Sequence, residues 1–168
     1  MLEDQWPEMD QEEAPPVDML AAFFEARGWL VDHLSDEELS VEIKGNWTSY
    51  QLRAVWRDED HVLQILLLPE MRVPDDKKSA IYETLGLINE QLWLGHFDLW
   101  SSNNILLFRH ATMLGGSGML GLDQAQAIVD MAIEEWERFY PVFQFVLWSD
   151  KSPQEAIEHA MVDTLGEA

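Results

Sequence analysis

Few residues in this chain could do chemistry, and each has a plainer use. Gly116-Ser117-Gly118-Met119-Leu120-Gly121 spells G-x-G-x-x-G, the pattern with which a bare helix N-terminus holds a pyrophosphate. It follows a strand pattern and precedes a helix pattern, as a dinucleotide fingerprint requires. Only 47 residues come after Gly121, too few for the rest of a dinucleotide-binding sheet. The acidic residue such a fold places about twenty positions on would fall near Pro141. A mobile linker is the simpler use. A small-ligand or nucleotide sensor or enzyme using residues 115–121 is the alternative.

His96 and Asp98 stand two apart in a strand pattern, so they share a face and could ligate a metal with His61, His110 or Glu90. No H-E-x-x-H or comparable spacing supports this, and packed or surface histidines are expected. Glu134, Glu135 and Glu137 could supply a general acid and base only if burial drove their pKa values apart. Glu134 and Glu137 face away from the apolar stripe of their helix and read as solvated, with Arg138 one turn after Glu134. Ser102 and Ser117 have no partner base, and no G-x-S-x-G elbow is present. The chain has no Cys, which excludes disulfides, thiolate metal sites and Cys nucleophiles. No enzyme signature survives, and neither cofactor nor metal is expected.

The aromatic residues say more. There are 8 Trp, more than a core of this size readily swallows. Trp29, Trp47, Trp56, Trp93, Trp100 and Trp148 fall at element ends, where one edge of the indole stays wet and suits an interface. Trp47, Trp56, Trp93 and Trp100 are the candidate protein-interaction residues. Arg53 and Arg109 sit inside strand patterns and should cross-pair with acids. Lys77 and Lys78 open a helix against the macrodipole preference, which hints at local docking.

The elements that must position these groups are legible in the hydrophobic periodicity. Residues 1–17 read as a disordered acidic arm, with Glu3, Asp4, Glu8, Asp10, Glu12 and Glu13 unmatched by Lys or Arg and three prolines. Asp18 should cap a helix over 18–27 ending at Gly28. A short strand over 29–34 follows. Leu39, Val41 and Ile43, then Tyr50, Leu52, Ala54 and Trp56, alternate with polar residues as half-buried strands do. Gly45-Asn46 marks the hairpin between them. Val62 to Leu68 is apolar enough for a central strand. Asp75 or Asp76 should cap a helix carrying Ile81, Leu85, Ile88 and Leu92, followed by strands near 95–100 and 105–111. Asp123-Gln124-Ala125-Gln126 resembles a capping box opening a helix that Pro141 should kink or break. Periodicity leaves 142–148 open between helix and strand. Ser152-Pro153-Gln154-Glu155 starts a last helix whose buried side is Ala156, Ile157, Ala160, Met161 and Leu165.

The chain has 168 residues and a formal charge of -22, from 10 Lys and Arg against 32 Asp and Glu. That field repels phosphate backbones and anionic lipid, so neither nucleic acid nor membrane is an expected partner. With 47% hydrophobic residues the chain can bury a core, in one domain spanning 18–168. Met1-Leu2-Glu3-Asp4 has no positive, apolar leader pattern, and a cytoplasmic location is expected.

Leu52-Arg53-Ala54-Val55-Trp56, the run from Ile81 to Phe97, Phe108-Arg109-His110-Ala111, Phe139-Tyr140-Pro141-Val142-Phe143-Gln144 and Ser152-Pro153-Gln154-Glu155-Ala156 resemble the YbjN family of bacterial proteins. The resemblance spans about residues 18–168. It implies a fold similar to class I type III secretion chaperones and a role in sensory transduction or stress regulation. It carries no catalytic set. The strand at 29–34 and the Ser152 helix depart from the minimal chaperone pattern. The expected architecture is α+β, an antiparallel sheet of about five strands with helices on one face and at its ends. The expected function is a non-enzymatic interaction or regulatory module that binds a protein client, compatible with a homodimer.

Overall fold

The computed structural model describes residues 15–166, with side chains through residue 160. Residues 1–14 of the expected acidic arm, and the side chains of Met161 and Leu165, lie outside the described residues. The order is α1 (Pro16–Ala26), β1 (Val31–Ser35), β2 (Glu38–Lys44), β3 (Ser49–Arg57), β4 (Val62–Pro69), a 3-10 turn (Asp75–Lys77), α2 (Lys78–Asn89), β5 (His96–Trp100), β6 (Ile105–Met113), α3 (Leu122–Trp148) and α4 (Pro153–Gly166).

The six strands form one antiparallel sheet in the order β1-β2-β3-β4-β6-β5, so all six strand patterns join the sheet expected to hold about five. The first four are the meander that the alternation requires. β6 inserts beside β4, which leaves β1 and β5 as the edges. Register fixes what each face carries, because the side-chain period of a strand is two. Val41, Leu52, Leu67, Phe108 and Phe97 are cross-strand partners in one row, as are Ile43, Tyr50 and Pro69 in the next. These side chains are buried under α1, α2 and α3, and α4 packs on α2 and α3. The core centres on Phe97, whose ring meets Trp136, Phe108, Phe139 and Phe143 at centroid distances of 4.9–5.8 Å. Trp136 Nε1 donates to the Leu67 carbonyl at 2.8 Å, which pins α3 to the sheet.

Helix ends depart from expectation in instructive ways. α1 begins at Pro16, where a proline costs no hydrogen bond, so Asp18 is a first-turn acid and not the cap. Pro16 and Val17 are therefore ordered core residues and not part of an arm. Gly28 does take the left-handed conformation, φ +78°. Asp75 and Asp76 form the 3-10 turn before α2, and Gly121, not Asp123, occupies the α3 N-cap. The Ser152 cap is as read: its Oγ accepts from the Glu155 N–H at 3.2 Å.

α3 runs unbroken through Pro141 to Trp148, so residues 142–148 are helix. Pro141 lacks the N–H that would bond the Glu137 carbonyl. Trp47 Nε1 takes its place, donating to Glu137 O at 3.2 Å. Val142, Phe143, Val146 and Leu147 are buried beyond the proline, so packing holds the helix on both sides of the gap.

Candidate functional site

The groups singled out for chemistry do not converge. Residues 115–121 form the loop between β6 and α3, but the sheet they leave is antiparallel throughout, so no parallel strand–helix–strand unit cradles a pyrophosphate. Gly118, at φ +65°, lies over Trp56 and His61. The pocket beside the loop, about 410 Å³, is lined by Glu59, Asp60, His61, Met113, Leu114, Gly115 and Gly116. Glu59 and Asp60 in its lining disfavour a phosphate.

Asp98 is held by Arg109 at 3.5 Å, and His96 lies across from Arg109 on β6. His110 faces the opposite side of the sheet, where its Nε2 meets Thr112 Oγ1 at 2.9 Å. Burial, reinforced by His96, holds its pKa below the ordinary 6.5. His61 stacks on Trp56, 5.7 Å between centroids. Among the described residues no group of three or more His, Asp and Glu could hold a metal ion.

The glutamates of α3 correct the solvated reading. Glu134 is exposed, whereas Glu137 turns toward the β2–β3 loop, where its Oε1 accepts from the Asn46 N–H at 2.9 Å. A Cβ on Gly45 would run into that carboxylate and the Tyr50 ring, so only glycine lets the loop approach. Desolvation, then the Glu137 charge, pushes the Tyr50 phenol well above its usual range. Glu135 is also raised by burial, its largest influence, with Glu134 adding and Arg138 opposing. Of these acids Glu137 belongs to a seam between loop and helix, and none of the three lines the groove or the pocket beside residues 115–121.

The basic residues pair as their strand positions suggested. Arg53 bridges to Glu38, and Arg109 to Asp98. Lys77 reaches Asp150 at 2.6 Å and Lys78 donates to the Ser101 carbonyl at 3.0 Å. The docking implied by their place at the start of α2 is internal, tying the helix to the end of α3 and the β5–β6 turn.

The four tryptophans separate. Trp56 is 4% exposed and bonds Asp58 at 3.3 Å, so it is a core residue and offers no surface. Trp47 is half exposed, but its N–H is used on Glu137 and its ring stacks on Tyr140. Trp100 is half-buried opposite Ile105 on the sheet face away from the helices. Trp93 is 99% exposed beside Leu94 in the connection leading to β5. Asn89 explains why: its side chain bonds both the N–H and the carbonyl of Phe97 at 2.9 and 3.0 Å. That fixes the start of β5 and leaves Trp93 and Leu94 to project outward.

The face away from the helices is the largest feature built from these pieces. One row across it runs Asp32, Ser40, Arg53, Leu66, Arg109 and His96. Leu66 and Leu107 are buried even on this side. Beside the row lies a groove of about 1240 Å³, whose apolar walls are Trp29, Leu30, Leu68, Met71 and Ile105. Asp32, Glu42, Glu70, Lys44 and Arg72 rim it. β1, its open side, is an edge strand with residues 32–35 exposed. Leu30 is 92% exposed. The sequence pointed to tryptophans; Leu30, Leu68 and Ile105 emerge only from register.

The fold is therefore a one-sided antiparallel α+β structure of the secretion-chaperone type, with no assembled catalytic centre among the described residues. A family model described as "YbjN: Putative bacterial sensory transduction regulator" matches residues 16–145, and this chain belongs to the YbjN family. The crystal structure of "YbjN, a putative transcription regulator from E. coli" is similar with a TM-score of 0.53 at 12% identity, covering 73% of this chain and 86% of that one. A chain of the ExsC–ExsE complex is similar with a TM-score of 0.51 at 17% identity, covering 72% and 90%. No curated protein matches the sequence. Among the described residues no helix is long and apolar enough to cross a membrane.

Proposed function

We propose that the chain is a non-enzymatic regulatory module that holds a polypeptide client against the open face of its sheet. The observation that carries this reading is the 1240 Å³ groove beside the free β1 edge. A client crossing that face rests apolar side chains on Leu30, Leu68 and Ile105, and a stretch of it running beside β1 adds main-chain bonds to the edge. The match to a chain crystallised as part of a two-protein complex supports the same use of the fold. The surplus of acids favours clients that are basic. Self-association through either free edge is compatible with this reading, and light scattering reads it as a doubled mass.

Affinity capture followed by mass spectrometry tests the reading. A stoichiometric protein partner is expected with the wild type and a much weaker yield with Leu30→Asp, a change at an exposed position that leaves the core alone. Repeated capture of no partner would remove the proposal.

A further inference from the structure

The end of the sheet opposite the β2–β3 loop carries a second surface. There the β3–β4 turn, Asp58-Glu59-Asp60, meets the exit of β6 and the loop 115–121. Met113 is 79% exposed, and Met119 and Leu122 are about half exposed. The pocket of about 410 Å³ is lined there by Met113 and Leu114 as apolar wall, with Glu59, Asp60 and His61 beside them. Arg57 neutralises Asp60 at 2.9 Å and the Trp56 indole engages Asp58. Among the described residues no hydrogen bond or ion pair engages Glu59. The glycine backbone at 115 and 116 has open space where side chains would stand, so a ligand can approach the main chain closely.

From this placement we infer that the surface seats a basic amphipathic segment of a partner polypeptide, a Lys or Arg stem lying on Met113 and Leu114 with its head at Glu59. Methionine adapts to apolar partners of varied shape because its thioether chain is flexible and polarizable, and long cationic side chains cover apolar surface while keeping the charge wet. Charge selects the occupant. Phosphate-bearing ligands and anionic lipid are repelled by the turn. A second copy brings the same acids and a charge of -22. The chain's own residues 1–14 hold six acids and no base, so they are repelled too. The inference rests on the client reading and adds a second contact to it.

The probe is a synthetic 15-residue helix-forming peptide of Leu and Lys in amphipathic spacing, with a Glu-for-Lys peptide as control, titrated into full-length protein while methionine methyl signals are followed by NMR. The Met113 and Met119 methyls should shift with the Lys peptide and stay still with the Glu peptide. The double variant Met113→Thr/Glu59→Gln should bind roughly 10-fold more weakly, whereas Glu83→Gln/Glu158→Gln, which removes two acids elsewhere against the one removed here, should bind within about 2-fold of wild type. Equal weakening by both double variants would mean general attraction to an acidic protein and overturn the inference, as would no shift at Met113. Met113 signals that move with protein concentration alone would assign the surface to a second copy and overturn it equally. A client captured equally by wild type and Met113→Thr/Glu59→Gln defeats this seat and leaves the groove standing. Capture of no client defeats the broader reading instead.

Discussion

At the scale of residues, the most informative cluster joins Gly45, Asn46 and Trp47 to Glu137 and Pro141. A proline inside a helix strands a carbonyl, and here an indole from the β2–β3 loop occupies it. Pro141→Ala supplies a competing N–H to the same oxygen. We expect the Trp47 indole proton to exchange roughly 3- to 10-fold faster in that variant, the worth of one ordinary hydrogen bond, measured by NMR; unchanged exchange would contradict this assignment. His110 gives a pH test. Its folded pKa lies below the ordinary 6.5, so the unfolded chain takes up the proton first as pH falls. The stability tied to the neutral imidazole is present above 6.5 and is lost as pH drops toward the depressed value. Urea midpoints between about pH 7.5 and 5 should therefore fall more steeply for wild type than for His110→Gln, and parallel curves would count against it. The Pro141 position was visible in sequence as a gap in hydrogen bonding. Its partner was not, because Trp47 lies 90 residues away and periodicity carries no long-range pairing.

At the scale of elements, alternation named β2 and β3 because each has one face under helices and one facing away from them. Tyr50, Leu52, Ala54 and Trp56 are all buried, as their spacing requires. The helix caps were less legible: Asp18, Asp75 and Asp123 have cap-type side chains, but the chain enters each helix through a proline, a 3-10 turn or a glycine. Edge strands were not legible at all, since the insertion of β6 between β4 and β5 depends on packing across the sheet. Trp56 reads as an interface residue from its place near a strand end, but it follows the same alternation inward and is buried. α3 holds the sheet through Trp136, whose indole bonds the Leu67 carbonyl in the core. Trp136→Phe deletes that donor and strands a buried acceptor, so urea denaturation should show a loss of about 1–3 kcal/mol. A change within experimental error would show that α3 docking does not depend on this bond.

At the scale of the whole molecule, two facts combine: a charge of -22 and a six-stranded sheet whose helices, among the described residues, pack on one side. The charge limits the class of partner, and the open face with its free β1 edge offers a groove of about 1240 Å³ to hold one. Composition alone disfavours phosphate-bearing partners. The groove itself needed three dimensions, because Leu30, Leu68 and Ile105 are far apart in the chain and meet only through the register of β1 to β6. Hydrogen exchange by mass spectrometry on the chain with its captured client, against the chain alone, is the most direct measurement. Slower exchange in Val31–Ser35 and across residues 68–72 is the predicted result. Unchanged exchange there, with protection confined to the helical side, would contradict it.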